Sequence, residues 1–285
     1  MTDPQIRVDP ISPVVGAEVS GADLTAPLTP EVFETLHLAL MTHLVLFFRD
    51  QALSFEQHKA FGRHFGDLHI HPAAPKEGDH PEILVVHGDA TVKFVAGELW
   101  HSDVSCDVEP PMGSILRIEQ VPMSGGDTLF ASMYAAYEAL SDRLQRFLAE
   151  LTAVHDGRQY YVGRYGGRDL RDGAYPSAEH PAVRTHPVTG RQALYVNEGF
   201  TTGFKELKQA ESDALLSFVL QHCAAPEFQC RFRWRQNSVA FWDNRCTQHH
   251  AIWDYYPQTR HGYRVTIQGD RPYYDPTSAP ASLKA

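Results

Sequence analysis

Short runs of β-branched and aromatic residues, separated by helix-capping and turn signals and never by a glycine-rich phosphate loop, set the narrowest limit on how this chain can fold. His43 to Phe48 is nearly all apolar, as a buried strand requires. Val14 to Val19, Phe228 to Trp234, Val239 to Trp242 and Arg260 to Gln268 have strand composition, and further short runs lie between Glu82 and Arg117. Helices interrupt these runs without alternating with them. Thr29-Pro30-Glu31 joins an N-cap to a proline at the first helical position and predicts a helix from about Pro30 to Thr42. Ser54 with Gln57 forms a capping box for a helix ending near Gly66. Two helices are expected between Ser132 and Leu151, with Leu140, Leu144, Phe147 and Leu148 at helical spacing, and a last one from Glu206 to Cys223. This order favours a mainly β fold with flanking α, a double-sheet jelly roll, over a doubly wound sheet.

With 43% hydrophobic residues, 285 residues are read as a single domain, 1–285. The segment 157–179 is rich in Gly, Arg, Tyr and Asp without a period, and is expected to be a long loop acting as a lid. No stretch approaches the roughly 20 apolar residues of a membrane span, and Met1 to Asp9 lacks a signal-like pattern. Cys106, Cys223, Cys230 and Cys246 form no close-spaced pair, so reduced thiols and a cytoplasmic location are expected. A net charge of -10 argues against a general hold on nucleic acid or an anionic membrane, because both need Lys and Arg to neutralise phosphate. An anionic partner must be met by a few local arginines.

His101-Ser102-Asp103 lies in a strand-like run, Leu99 to Ser105, where residues two apart share a face, so an imidazole and a carboxylate would converge. Two histidines and one carboxylate on one face of a metal leave open positions for a cosubstrate and dioxygen, the arrangement of non-haem iron(II) oxygenases. The pattern alone is unspecific: among 16 histidines a second copy occurs at His87-Gly88-Asp89, where Gly-Asp reads as a turn. A third ligand must come from far along the chain. His249 and His250 both offer themselves, and adjacent residues in an extended strand face opposite ways, so only one can serve; the competing reading is a polar surface turn.

Arg260 and Arg264 are four apart in a strand-like run and share a face. Two inward arginines are costly unless anions meet them, and a guanidinium grips a carboxylate through two parallel hydrogen bonds, which suits the distal carboxylate of 2-oxoglutarate. The competing reading puts both on a solvated edge strand.

With these residues in hand, the chain resembles the taurine dioxygenase and phenoxyacetate-herbicide dioxygenase (TauD/TfdA) family almost end to end. The resemblance is carried by Gly16 to Leu24, Phe65-Gly66-Asp67-Leu68-His69-Ile70-His71-Pro72, Trp100-His101-Ser102-Asp103-Val104, Gly125-Gly126-Asp127-Thr128-Leu129, Val196 to Thr202 and Trp242-Asp243-Asn244-Arg245. It implies a double-stranded β-helix of the Fe(II)/2-oxoglutarate oxygenase type, with iron(II) held by His101, Asp103 and His249, while His250 falls on an unused position. It implies oxoglutarate bound by Thr128 and Arg260, and the anionic group of the substrate met by Arg264 and His71, with Val104, Tyr161 and Phe200 near the substrate. Ala74 and Gly97 depart from the family pattern. They stand where the taurine enzyme has a tyrosine and an asparagine, so the pocket loses polar groups, gains room and is expected to disfavour taurine.

The implied reaction consumes dioxygen (O2) and 2-oxoglutarate, releases succinate and CO2, and hydroxylates a C–H bond of a small anionic organic substrate: an alkyl sulfonate, a sulfate ester or a carboxylate. Relatives form dimers or tetramers, so a homo-oligomer is expected. A zinc hydrolase built on the same three ligands would need a positioned general base and would leave Arg260 unused. A non-catalytic jelly-roll binding protein is the other alternative. Trp100, Phe241, Trp242 and Tyr195 are read as core residues, and Cys246 as a buried inert thiol.

Overall fold

The computed structural model describes residues 6–72, 79–93, 95, 97–162 and 175–278. Along the chain lie β1 (Arg7–Pro10), β2 (Ala17–Ser20), α1 (Pro30–His43), β3 (Val45–Phe48), α2 (Phe55–Arg63), β4 (Leu68–His69), β5 (Ile83–Gly88), β6 (Gly113–Gln120), β7 (Thr128–Ser132), α3 (Met133–Glu138), α4 (Asp142–Ala149) and β8 (Thr152–Asp156). There follow α5 (Arg158–Tyr161), β9 (Ser177–Pro181), β10 (Val183–Thr185), β11 (Gln192–Leu194), β12 (Thr201–Phe204), α6 (Gln209–Cys223), β13 (Gln229–Phe232), β14 (Ser238–Asp243), β15 (Thr247–Ala251) and β16 (Arg260–Ile267).

The capping signals act as chemistry requires. Thr29 Oγ1 accepts the Val32 N–H ahead of α1, and Ser54 and Gln57 exchange both bonds of the capping box ahead of α2. The last helix begins three residues later than expected, because Glu206 accepts the Thr152 N–H and Glu211 instead caps the Lys208 N–H.

An eight-stranded sheet runs β1-β2-β3-β14-β6-β16-β4, with β5 also paired to β16, and a second sheet runs β13-β7-β15. Alternation along the central strands divides two cores. Val45, Phe47, Leu116, Ile118, Ala240 and Trp242 face the second sheet. Leu46, Phe48, Ile115, Val239 and Phe241 face α1 and α2 on the other side. Phe47 on β3 stacks on Phe232 of β13 at 4.0 Å and meets Phe130 of β7 edge-on at 5.5 Å, which ties the two sheets together. The result is mainly β with flanking helices, a double-sheet jelly roll with a site between its sheets.

Two expectations change. Leu99 to Ser105 is not a strand: only His101 bridges to His249, and the chain then turns through Val104 at φ +49°. The Asp103 N–H is donated to the Asn244 side chain, so no ladder can continue there. The expected loop 157–179 holds the short helix α5 and the first residues of β9, and its middle, 163–174, lies outside the described residues, as does Ala74. All four cysteines are buried and free, and among the described residues no helix is long and apolar enough to cross a membrane.

Candidate active site

Three distant stretches meet between the sheets. The bridge between His101 and His249 is closed by both backbone bonds, His101 N–H to the His249 carbonyl at 3.1 Å and the reverse at 2.9 Å. This holds the two imidazoles 4.1 Å apart between ring centroids. The turn after His101 then swings Asp103 back, leaving Asp103 Oδ1 3.7 Å from His101 Nε2. Donor atoms of His101, Asp103 and His249 all lie within 4.8 Å of one another, and all three residues are buried. His250 points away beside Trp100, at 5.5 Å between rings.

Each donor is prepared for a cation. His101 Nδ1 donates to the Leu99 carbonyl at 2.8 Å, which fixes the tautomer and leaves the Nε2 lone pair toward Asp103. His249 Nδ1 is buried without a hydrogen-bond partner. Burial pushes both imidazoles below their ordinary pKa, so they are neutral, as metal ligands must be. Burial alone would raise Asp103, but the Arg264 guanidinium, with the Ser114 hydrogen bond, outweighs it and holds the carboxyl well below the usual carboxylate range. Ser114 donates to Asp103 Oδ2 at 2.7 Å, and Arg264 Nη1 makes a close contact with Oδ1. Asn244 links these parts: its oxygen accepts from Asp103 N–H and Trp242 Nε1, and its amide donates to Ser114. Two neutral imidazoles and one ionised carboxylate, with donor atoms that converge, fit iron(II) or a similar divalent ion.

Arg260 and Arg264 reach the same cavity from β16. Arg260 is 3% exposed and has no carboxylate within ion-pair distance among the described residues. Its Nε donates to the Gly126 carbonyl at 3.1 Å and its Nη2 reaches Thr128 Oγ1 at 3.5 Å. Burial pushes its pKa down to about 10, which still leaves it charged at neutral pH. Gly126, at φ +71°, is what lets the backbone come so close: a Cβ there would stand 3.2 Å from Arg260 Cδ and 3.1 Å from Pro122 Cγ. A buried cation without an anion is costly, and the arrangement is a receptor for one.

All ten residues singled out from the sequence, His71, His101, Asp103, Val104, Thr128, Tyr161, Phe200, His249, Arg260 and Arg264, line this one cavity. Its empty space is about 680 Å³ with the open mouth included, the size class of small-ligand sites. His71 is buried and meets Tyr161 edge-on at 6.0 Å between rings. Gly97 lines the wall, as expected from the missing asparagine. Trp242 is core, as expected, but it also lines the cavity, with its ring 4.7 Å from His249. Sequence reasoning missed Tyr160, whose hydroxyl accepts the Gly97 N–H at 2.7 Å and whose ring lies 5.2 Å from His101. It also missed Ser114, Asn244 and Trp234; the Trp242-Asp243-Asn244-Arg245 run flagged Asn244 without revealing its role. At His87, the turn reading is right: Asp89 accepts from both Thr91 N–H and Thr91 Oγ1–H at 2.7 Å.

Residues 7–266 match the family model described as taurine catabolism dioxygenase TauD, TfdA family. A Schizosaccharomyces pombe protein whose name carries the words alpha-ketoglutarate-dependent sulfonate dioxygenase is 40% identical over 245 residues, 82% of this chain and 62% of that protein. This chain thus spans less than two thirds of that relative. A Pseudomonas putida protein named alpha-ketoglutarate-dependent sulfate ester dioxygenase is 33% identical over 278 residues, 94% of this chain and 91% of its own. A taurine dioxygenase structure from Burkholderia xenovorans superposes with TM-score 0.83 at 37% identity, covering 97% of this chain and 94% of that one. The structure titled AAD-2 in complex with Mn(II) and N-oxalylglycine gives 0.79 at 29% identity, covering 94% and 99%. Sequence, fold and site geometry agree: this chain belongs to the TauD/TfdA family of 2-oxoglutarate-dependent dioxygenases.

Proposed function

We propose that this chain hydroxylates a C–H bond of a small anionic substrate, a sulfonate, sulfate ester or carboxylate, with iron(II) at His101, Asp103 and His249 and 2-oxoglutarate held by Thr128 and Arg260. The observation that carries the reading is Arg260, a buried guanidinium without an anionic partner among the described residues, opening into the same cavity as a two-histidine, one-carboxylate cluster. A solved relative whose title names Mn(II) and N-oxalylglycine supports a metal and a short diacid in such a site. Iron(II), oxoglutarate and dioxygen bound there would supply the oxidising power, with succinate and CO2 as coproducts.

The chain's own residues do the positioning. Arg260 and Thr128 present donors to the distal carboxylate. Arg264, paired through Nη1 with Asp103 but with its buried Nε unpartnered among the described residues, supplies charge for the substrate's anionic head, beside His71. Val104, Tyr161 and Phe200 wall the cavity against water and face the substrate's carbon skeleton. Among the described residues lining the cavity Asp103 is the sole carboxylate, so they offer no counter-ion to an ammonium such as taurine's once Asp103 is committed to metal. The names of the sulfonate and sulfate ester relatives support this substrate class. The lack of a second carboxylate among the described lining residues also disfavours a zinc hydrolase, which would need a general base. The proposal extends to one catalytic domain in a homo-oligomer; the four buried free thiols support a reducing, cytoplasmic setting.

Anaerobic titration of the iron(II)-loaded protein with 2-oxoglutarate tests this. A weak visible charge-transfer band is expected in wild type and a markedly weaker one in Arg260→Ala at equal ligand. No band in fully loaded wild type would overturn the proposal.

A further inference from the structure

Trp234 lies just beyond β13, 6% exposed, with its indole Nε1 donating to Thr128 Oγ1 at 2.9 Å. Its ring is gripped edge-on by Phe232 at 4.9 Å and supports the Arg260 guanidinium, whose Cζ stands 5.4 Å from the ring centroid. A hydroxyl accepts up to two hydrogen bonds and donates one, whereas an indole N–H and a guanidinium can only donate. Trp234 and Arg260 both aim donors at the Thr128 oxygen. Its proton is then the one part left to use, and among the described residues no protein group accepts it, while Thr128 lines the cavity.

Building on the oxoglutarate reading above, we propose that Trp234 is a positioning residue for that cosubstrate: by occupying the Thr128 oxygen as an acceptor, it forces the threonine hydroxyl to donate into the cavity. Together with Arg260, this makes the end of the cavity a donor-only pocket. A carboxylate satisfies such a pocket completely. A carboxamide of the same shape brings N–H donors against donors, and each mismatch leaves a buried group unpaired. Selection of a charged terminus thus comes partly from Arg260 and partly from a hydrogen-bond direction that Trp234 sets without touching the ligand.

The test is anaerobic binding calorimetry on the Mn(II)-loaded protein, with 2-oxoglutarate and its C5 amide, 2-oxoglutaramate, as ligands. Trp234→Phe keeps an aromatic ring beside Arg260 and removes the N–H together with part of the ring; the lost bulk alone would not change the hydrogen-bond direction that the acid-to-amide ratio reads. We expect Kd for oxoglutarate to rise roughly tenfold, the size of one buried hydrogen bond, and the preference for acid over amide to narrow, because the freed hydroxyl can rotate and accept. In a Thr128→Val background, Trp234→Phe should change neither quantity further. A residue that merely packs would leave the acid-to-amide ratio of Trp234→Phe at the wild-type value, and that result overturns the inference. Should Trp234→Phe fail to fold by its urea midpoint, Thr128→Val alone decides: an unchanged acid-to-amide ratio there also overturns it. Failure of wild type to bind oxoglutarate would instead strike the function proposed above.

Discussion

Among the described residues two buried clusters set a histidine beside an aspartate with a third donor, His101 and Asp103 with His249, and His186 and Asp243 with Cys246, and within each all three donor atoms lie within 4.8 Å. Distance alone cannot separate the two. In the second cluster every lone pair is spent. Arg245 donates to both Asp243 oxygens, at 2.9 and 2.6 Å, and His186 Nε2 adds a bond at 3.0 Å. His186 Nδ1 accepts from the Val188 and Thr189 N–H groups, which commits Nε2 to donation and denies it to a metal. Burial and the Asp243 charge push the Cys246 thiol well above its ordinary pKa, so it offers no thiolate. In the first cluster the Asp103 oxygens also take bonds, from Ser114 and Arg264, but the imidazoles stay open: His101 Nε2 keeps its lone pair and His249 Nδ1 has no partner among the described residues. A closed ion-pair network fastens the end of β14, while an open set of donors waits for a cation.

The contrast is sharpest under substitution. Asp243→Ala strands Arg245, 6% exposed, together with His186. It is expected to cost about 3–5 kcal/mol of stability, read from the urea midpoint, with iron stoichiometry of the folded fraction unchanged. A loss under about 1 kcal/mol would mean that the network is not structural. His101→Ala should reverse the pattern: retained iron lost, turnover down by at least about a hundredfold, and a stability change within about 2 kcal/mol. Iron retained in that variant would break the assignment of the open cluster.

A more gradual effect is read with protons. Burial pushes the pKa of His58 and His180 down to about 4 and that of His155 to about 3. All three hydrogen-bond to backbone carbonyls, as structural histidines should. Their folded pKa lies below the unfolded value near 6.5, so below that pH the unfolded chain takes up protons that the folded one refuses. Stability should be fully present above about pH 6.5 and be lost progressively as the pH falls toward 4. Urea midpoints at pH 7, 6 and 5 measure this, and equal midpoints would contradict neutral burial.

Much of this was legible in the chain because it rests on local chemistry. Strand periodicity put Arg260 and Arg264 on one face, and caps at Thr29 and Ser54 started helices where they were expected. His101 and Asp103 do converge, but for a reason the pattern did not contain: a turn at Val104 replaces the strand. The donors that finish the site escaped notice because they act across 11, 141 and 106 positions, Ser114 and Asn244 on Asp103 and Trp234 on Thr128. A hydrogen bond between residues so far apart leaves no local periodicity to read. The choice of His249 over His250 was narrowed to one by strand alternation and decided by resemblance, and the bridge to His101 accounts for it.

That bridge bears on how the protein can be made and kept. Its two backbone bonds hold the imidazoles as neighbours through the chain's own pairing, so a cation entering the site does not have to gather its ligands from a floppy loop. Loading becomes a matter of encounter and desolvation, with little ordering entropy left to supply. Protein stripped of its ion by a chelator should keep its shape and accept a fresh ion on simple mixing, which makes the bare chain a storable intermediate.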